Sequence, residues 1–94
     1  MSKLSEHDLN LRAIMLKRDG RDVLMRIIEK AGYFGDTHSS DPIVTARANG
    51  RRSVAVELLA DIERVAPDDL QQMMSEYYAR RNTARNKSRD DSDD

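Results

Sequence analysis

The stretch DPIVTARANGRRSVAVELLADIER, from Asp41 to Arg64, predicts one long amphipathic helix around which the rest of the chain is organised. Asp41 can accept hydrogen bonds from the free amides of the first helical turn, and Pro42 suits the first helical position because it has no amide. Apolar residues then recur at spacings of three and four, as on one face of a helix. We expect this stripe to be buried. It consists of Ile43, Ala46, Gly50, Val54, Leu58, Ile62 and Val65, with Leu59 and Ala66 widening it.

Gly50 is unusual within this stripe, because glycine in the middle of a helix costs about 1 kcal/mol relative to alanine. Its neighbours on the same face, Ala46 and Val54, are also small. We therefore expect a close helix crossing, in which another backbone rests against Gly50 and in which Ala46, Val54 and Leu58 also pack. The alternative is a turn at Asn49-Gly50, a dipeptide that favours turns, which would divide the segment into two shorter helices.

Composition and charge limit the classes of protein to which the chain can belong. The 94 residues include 16 basic and 17 acidic side chains, for a formal net charge of -1, so no general attraction to nucleic acid is predicted. Without cysteine there is neither a disulfide framework nor a thiolate metal site. The chain has one Phe, three Tyr and no Trp, and a core this small and poor in aromatics is marginal by itself. We therefore expect a homo-oligomer, several copies in an assembly, or docking on a larger partner.

The remaining sequence predicts a small all-α bundle of three to four helices, at about residues 5–18, 20–31, 42–65 and 67–80. We divide the chain into an N-terminal helical arm at 1–18, a helical core domain at 19–79 and a charged flexible tail at 80–94. The tail has no apolar residue larger than alanine, so it cannot bury enough surface to offset the entropy of ordering. No stretch is apolar enough to predict a membrane span.

The shorter helices carry start and stop signals. Ser5 and Asp8 stand at the spacing of a capping box, Asp19 can cap the second helix, and Gly32 can end it. Pro67 starts the fourth helix and is followed by two acids at the positive end of the helix dipole. The predicted apolar faces are Val23, Leu24, Ile27, Ile28 and Ala31 in the second helix and Leu70, Met73, Met74 and Tyr77 in the fourth.

Three arginines fall in the first half of the long helix, ahead of its first internal acid at Glu57. They could pair with carboxylates of neighbouring helices while their stems cover the core. They could equally bind phosphates or the acidic rim of a partner. We expect the aromatic pair after the second helix to fold back over its last turn. The candidate partner-binding residues are Arg47, Arg51, Arg52, Tyr33, Phe34, Arg80, Arg81 and Arg85.

No motif for catalysis is apparent in the sequence. It contains no Gly-rich phosphate loop, no HExxH and no nucleophile motif at a strand-to-helix turn. Asp36 and His38 stand two residues apart, but a metal site normally needs three or four protein ligands, and no further His or Cys is nearby. We expect a non-enzymatic protein without cofactor or metal.

Four short motifs carry a family resemblance that covers about Asp19–Tyr78. They are GRDVL at Gly20–Leu24, DP at Asp41 and Pro42, NGRRSVAVELL at Asn49–Leu59 and PDDLQQMMSEY at Pro67–Tyr77. Together they resemble a family of small tailed-phage proteins known from the nineteenth numbered gene of a Bordetella short-tailed phage. Its members typically show G-R-R-x-V/L followed by aliphatics, then a Pro-led last helix ending in M-x-x-E. Ser53 departs from the polar amide typical of the family, and Asp19 departs from its Thr-Pro start.

The resemblance implies a phage morphogenesis or virion protein, encoded among head, portal and ejection genes, with no known catalytic role. Together with the marginal core, it favours a helical subunit that docks on portal, tail or internal ejection proteins. The expected location is the virion, and the host cytoplasm during assembly. The other hypothesis is a small nucleic-acid-binding or regulatory module, whose phosphate contacts would weaken as salt rises. It would use Arg47, Arg51, Arg52 and the run from Arg80 to Arg89.

Overall fold

Four helices form the computed structural model, which describes residues 3–35 and 39–92. No strand occurs in these two ranges, and the fold is all-α, as predicted. The third helix runs unbroken through Gly50, so the alternative of a turn at Asn49-Gly50 is wrong. The helices are α1 at Glu6–Met15, α2 at Arg18–Lys30, α3 at Pro42–Val65 and α4 at Pro67–Ser92.

The starts of α1 and α3 follow the signals in the sequence. Ser5 Oγ accepts a hydrogen bond from the Asp8 amide at 3.1 Å, and the Asp8 carboxylate accepts one from the Ser5 amide at 3.2 Å. This reciprocal pair is the predicted capping box. The Asp41 carboxylate accepts a hydrogen bond from the Ile43 amide at 2.9 Å, which caps α3 as predicted. Gly32, after α2, has a φ of 82°, the left-handed conformation that glycine adopts without steric cost.

The start of α2 differs from the prediction. The helix begins at Arg18, two residues early, and Asp19 is not its cap, because Asp19 lies in the first turn and accepts a hydrogen bond from the amide of Gly20. Here α2 comes very close to the end of α1. A Cβ placed on Gly20 would collide with the Ile14 carbonyl oxygen and would lie 2.9 Å from Ile14 Cγ2. The close backbone approach within the described chain is therefore at Gly20.

The core forms where all four helices meet. Its largest fully buried side chains are Met15 of α1, Met25 and Ile28 of α2, Ile62 of α3 and Met73 of α4. Methionine and aliphatic side chains dominate this cluster, as the shortage of aromatic residues predicts. Methionine suits such a junction because its unbranched side chain fills irregular space between helices that cross at different angles. Smaller contributions to the core come from Ala55, Val65, Ala66 and Tyr77.

α1, predicted as part of an N-terminal arm, is joined to the other helices at both of its ends. Its last residue, Met15, is fully buried, and Asp8 near its start accepts two hydrogen bonds from Arg64 of α3, at 2.8 and 2.9 Å. The Arg64 guanidinium, together with the Ser5 amide, holds the pKa of the Asp8 carboxyl well below its usual range. The ion pair ties α1 to the C-terminal end of α3.

α4 is longer than predicted, because it continues past residue 80 as far as Ser92. Every side chain in residues 78–87 is exposed, so this part of α4 adds nothing to the core, as its composition predicts. Residues 93 and 94 of the predicted tail lie outside the described residues. The helix therefore projects beyond the bundle to which its first turns belong.

The molecule is extended for its size. Its radius of gyration is 16.3 Å, whereas a compact domain of the same length has one of about 12 Å. Its accessible surface is 7335 Å², compared with about 5,500 Å² for a compact monomer of this mass. Both values are larger than in a compact domain because parts of α3 and α4 extend beyond the core that the four helices share.

Candidate functional site

The N-terminal half of α3 lies outside the core. Ile43 and Val54 are 64% and 58% exposed, whereas Ile62 in the C-terminal half of the same helix is fully buried. We call the segment Pro42–Val54 the α3 overhang. The apolar stripe of α3 was predicted to be buried along its whole length, and this is correct only for the part of the helix after the overhang. Ala55, which was not part of the predicted stripe, is also buried there.

The expected crossing at Gly50 does not occur within the described chain. A Cβ placed on Gly50 would meet none of the described atoms within 4 Å, and Ala46 and Val54 are exposed as well. Of the four predicted packing residues, only Leu58 packs against the core, and it does so partly buried. The prediction failed because periodicity marks an apolar face without showing how far along the helix the neighbouring helices reach.

Arg47 and Arg51 are the two exposed arginines of the α3 overhang, which also contains the partly buried Arg52. Together with Gly50 and Val54 they line a shallow open recess. Neither forms an ion pair or a side-chain hydrogen bond with any residue that the structure describes. The sequence left two roles open for these arginines, pairing with carboxylates of neighbouring helices and binding of a partner. Within the described chain, Arg47 and Arg51 do not pair with a carboxylate.

Arg52 has a different role from the other two arginines. Its Nε donates a hydrogen bond to the Tyr33 carbonyl oxygen at 3.4 Å, and its guanidinium carbon lies 5.2 Å from the centroid of the Tyr33 ring, a cation–π distance. This contact joins α3 to the turn after α2. Arg52 therefore serves a contact within the chain, with an aromatic partner rather than a carboxylate.

The two aromatic candidates pack inside the molecule. Phe34 stacks on Tyr77 of α4 with ring centroids 4.5 Å apart, and it meets the Tyr33 ring edge-on at 5.0 Å. Both are partly buried against the core. The ring contact that fixes Phe34 is therefore with α4, whereas a position over the last turn of α2 was expected, and the packing leaves Tyr33 and Phe34 little free surface for a partner.

The basic candidates of α4 lie on its exposed part. Arg80 pairs with Asp22 of α2 at 3.5 Å, and Arg81 donates a weak hydrogen bond to the Tyr77 hydroxyl at 3.4 Å. Arg85 is exposed and has no ion-pair partner among the described residues. No hydrogen bond or ion pair among the described residues joins these arginines to the α3 overhang.

The most buried ion pair among the described residues was not predicted. Arg21 of α2 donates two hydrogen bonds to Glu76 of α4, at 2.9 and 3.0 Å, and a third to the Met15 carbonyl oxygen at 3.0 Å. The two side chains have exposed fractions of only 10% and 11%. Hydrogen bonding to Arg21 lowers the pKa of Glu76, and the same contact raises the pKa of Arg21. This pair holds α1, α2 and α4 together.

The buried face of α2 explains why sequence reasoning missed Arg21. Arg21, Met25 and Ile28 are the buried residues of α2 and recur at spacings of four and three, whereas the predicted face was centred on the residues beside them. Val23 and Ile27, which were predicted to be buried, are exposed. The helical spacing of Arg21, Met25 and Ile28 would have placed Arg21 on the buried face, but a basic residue is normally assigned to the surface.

The described residues contain no cluster of three His, Cys, Asp or Glu side chains that could hold a metal ion. Asp36 and His38, considered above for such a site, lie outside the residues that the structure describes. None of the helices in residues 3–35 and 39–92 has the length and apolar character needed to cross a membrane.

Comparison with known proteins places the chain in a family. The family model described as Bbp19-like phage protein matches residues 11–75, which is 65 of the 94 residues. The match begins inside α1 and ends in the first half of α4, so it includes the α3 overhang and every described buried core residue except Tyr77. Searches of curated proteins and of solved structures gave no significant match. The matched span includes the first three motifs quoted above and residues 67–75 of the fourth, and the chain belongs to the family of Bbp19-like phage proteins.

Proposed function

We propose that the chain is a non-enzymatic assembly protein of a tailed bacteriophage, a small helical subunit that docks on portal, tail or internal ejection components. It is made in the host cytoplasm and becomes part of the virion or of a precursor particle. Membership of a phage family supports the phage setting. The role as a docking subunit rests on the surface of the molecule.

The α3 overhang is the observation that carries this proposal. In one continuous helix, the C-terminal half is buried in the core, while the N-terminal half exposes aliphatic side chains beside free arginines. Exposing aliphatic side chains to water is unfavourable, at about 25 cal/mol for each Å² of apolar surface. A partner that covers the overhang would remove that cost, which is typical of subunits that complete their packing in an assembly.

Mass spectrometry of purified phage particles and of their precursors tests the proposed function. We expect the protein in one particle class, in a fixed ratio to the portal or to a tail protein. Deletion of the gene should then yield particles that stop at one stage or fail to eject DNA, and a plasmid copy should restore them. Absence of the protein from every particle class would contradict the proposal.

A second candidate function, binding of nucleic acid, is favoured by the exposed part of α4. Arg81, Arg85 and Lys87 are exposed there, and no acidic residue lies between positions 77 and 89. Anisotropy of a labelled DNA duplex at about 50 mM and about 200 mM salt tests this candidate, because phosphate contacts weaken steeply over that range. Lack of binding at the lower salt concentration would exclude it.

A further inference from the structure

We propose that the α3 overhang is the docking site for one amphipathic helix of another phage structural protein, whose apolar ridge is flanked by carboxylates. This inference rests on the proposed function and deepens it, since it names the surface used and the chemistry of the partner. The residues that carry it are Ile43, Arg47, Gly50, Arg51 and Val54.

The small and apolar side chains of the overhang form a continuous strip along the helix. Ile43, Ala46, Gly50 and Val54 follow one another at spacings of three, four and four, which keeps them on one side of α3 over about 16 Å. A Cβ on Gly50 would have no described atom within 4 Å, so the backbone of a partner helix can approach α3 closely there. The strip has the length and the gap that a single crossing helix requires.

The charge of the overhang determines the chemistry of its partner. Arg47 and Arg51 stand one turn apart beside the strip, and no acidic residue lies between Asp41 and Glu57. A guanidinium group can donate two parallel hydrogen bonds to one carboxylate, and it loses little hydration when it does so at an interface. An apolar strip beside two guanidinium groups that have no ion-pair partner among the described residues is therefore complementary to an apolar ridge with carboxylates at its edge.

A second copy of this chain fits the overhang poorly. If two overhangs crossed in parallel, each arginine would face its own equivalent, and like charges together at an interface are unfavourable. If they crossed antiparallel at Gly50, Arg47 would lie opposite Ser53 of the other copy. The overhang itself would then supply no carboxylate, and the nearest one, Glu57 of the other copy, lies one turn beyond Ser53.

Nucleic acid also fits the overhang less well than an acidic helix. Phosphate contacts are made by cations and hydrogen-bond donors and do not cover aliphatic side chains. Ile43, Val44 and Val54 are each at least half exposed on the overhang. A helix with an apolar ridge covers them, whereas a phosphate backbone leaves them in water.

Photo-crosslinking in infected cells is the first step of the test. We would place p-benzoylphenylalanine at position 54, inside the overhang, and in a matched control at Gln71, which is exposed on α4. The expected result is a crosslink from position 54 to one acidic helical segment of another phage protein, with none to that segment from position 71. Crosslinking from position 54 only to a second copy, only to DNA, or to no molecule would overturn the inference.

A charge exchange is the second step, and it uses the segment found by crosslinking as a synthetic peptide. Arg47→Glu with Arg51→Glu should weaken peptide binding at least about tenfold, and a peptide with its flanking carboxylates changed to lysine should recover most of that loss. The control, Arg81→Glu with Arg85→Glu, should bind the original peptide like the parent. Unchanged binding by the overhang variant, or no recovery with the lysine peptide, would refute the role of the two arginines.

Arg47 and Arg51 are exposed and form no ion pair or side-chain hydrogen bond with a described residue, so we expect the variant to fold like the parent. Circular dichroism and a urea titration check that it does. The particle assay separates this inference from the proposed function. If the charge-reversed protein still enters particles at the parental ratio, the inference fails while the proposed function stands. Absence of even the parent protein from particles would contradict the proposed function itself.

Discussion

The two halves of α3 resemble each other in sequence pattern and differ in surroundings. Both place aliphatic or small residues at helical spacing, yet Ile62 is fully buried and Ile43 is 64% exposed. α3 has 24 residues and α1 has 10, which correspond to lengths of about 36 Å and about 15 Å. α1 is therefore too short to cover α3 along its whole length. An apolar stripe predicts that one face of a helix will be covered. Whether another helix of the same chain covers it depends on the length and the position of that helix.

The largest expected effect comes from truncating matched isoleucines in the two halves. Ile62→Ala should lower the free energy of unfolding by about 4 kcal/mol, because it removes buried methyl groups and leaves a cavity. Ile43→Ala should change it by less than about 0.5 kcal/mol, because the side chain is already in water. Urea titration followed by circular dichroism measures both. Equal losses would show that the overhang is packed in solution.

The buried ion pair gives the next largest effect. Glu76→Gln should cost about 3 kcal/mol of unfolding free energy, because it leaves the buried Arg21 guanidinium without a charged partner. Asp8→Asn, which removes the more exposed partnership with Arg64, is the matched control and should cost clearly less. The same titration compares them. A larger loss for the Asp8 variant would mean that the main polar junction lies at α1 and α3.

Two glycines sharpen the comparison between packed and free helix surface. Gly20→Ala should destabilise the protein by about 2 kcal/mol, because the new methyl group meets the backbone of Ile14. Gly50→Ala should instead stabilise the isolated chain by about 0.5–1 kcal/mol, because alanine is the better helix former and the position is open. Thermal melts of both variants provide the measurement. A loss of stability in the Gly50 variant would mean that a backbone rests there in solution.

Acid should weaken the buried junction gradually. The hydrogen bonds from Arg21 lower the pKa of Glu76 in the folded protein below its ordinary value of 4.5, so the native state keeps this carboxylate ionised at a lower pH than the unfolded chain does. The stabilisation is fully present above that unfolded value and is lost as the pH falls through the folded pKa. Urea midpoints measured below pH about 4.5 should fall less steeply in Glu76→Gln than in the parent. Parallel curves would show that other carboxylates cause the acid sensitivity.

Local features of the fold could be predicted from the sequence, because they depend on residues close together in the chain. The capping box at Ser5, the start of α3 at Asp41 and Pro42 and the left-handed Gly32 are examples. The family and the all-α class were also correct. These features need only a few neighbouring residues to form.

Features that depend on distant residues could not be predicted in the same way. Arg21 looks like a surface residue until Glu76, 55 positions away, is brought beside it. Gly20 and Gly50 are both glycines within helices, and only the packing of α1 against α2 distinguishes the one in close contact from the one in open space. Within the candidate site, the sequence named Arg47 and Arg51 as candidates, and that neither has an ion-pair partner among the described residues could be read only from the assembled helices.

The contact between Arg21 and Glu76 also bears on how the chain is made. Arg21 emerges from the ribosome early, but its carboxylate partner, and the core residues Met73 and Tyr77 beside it, belong to the last quarter of the sequence. Until α4 has been made, the nascent chain therefore exposes one wall of its core, and the Arg21 guanidinium lacks its Glu76 partner. The core can close only when the first turns of α4 pack against the other helices.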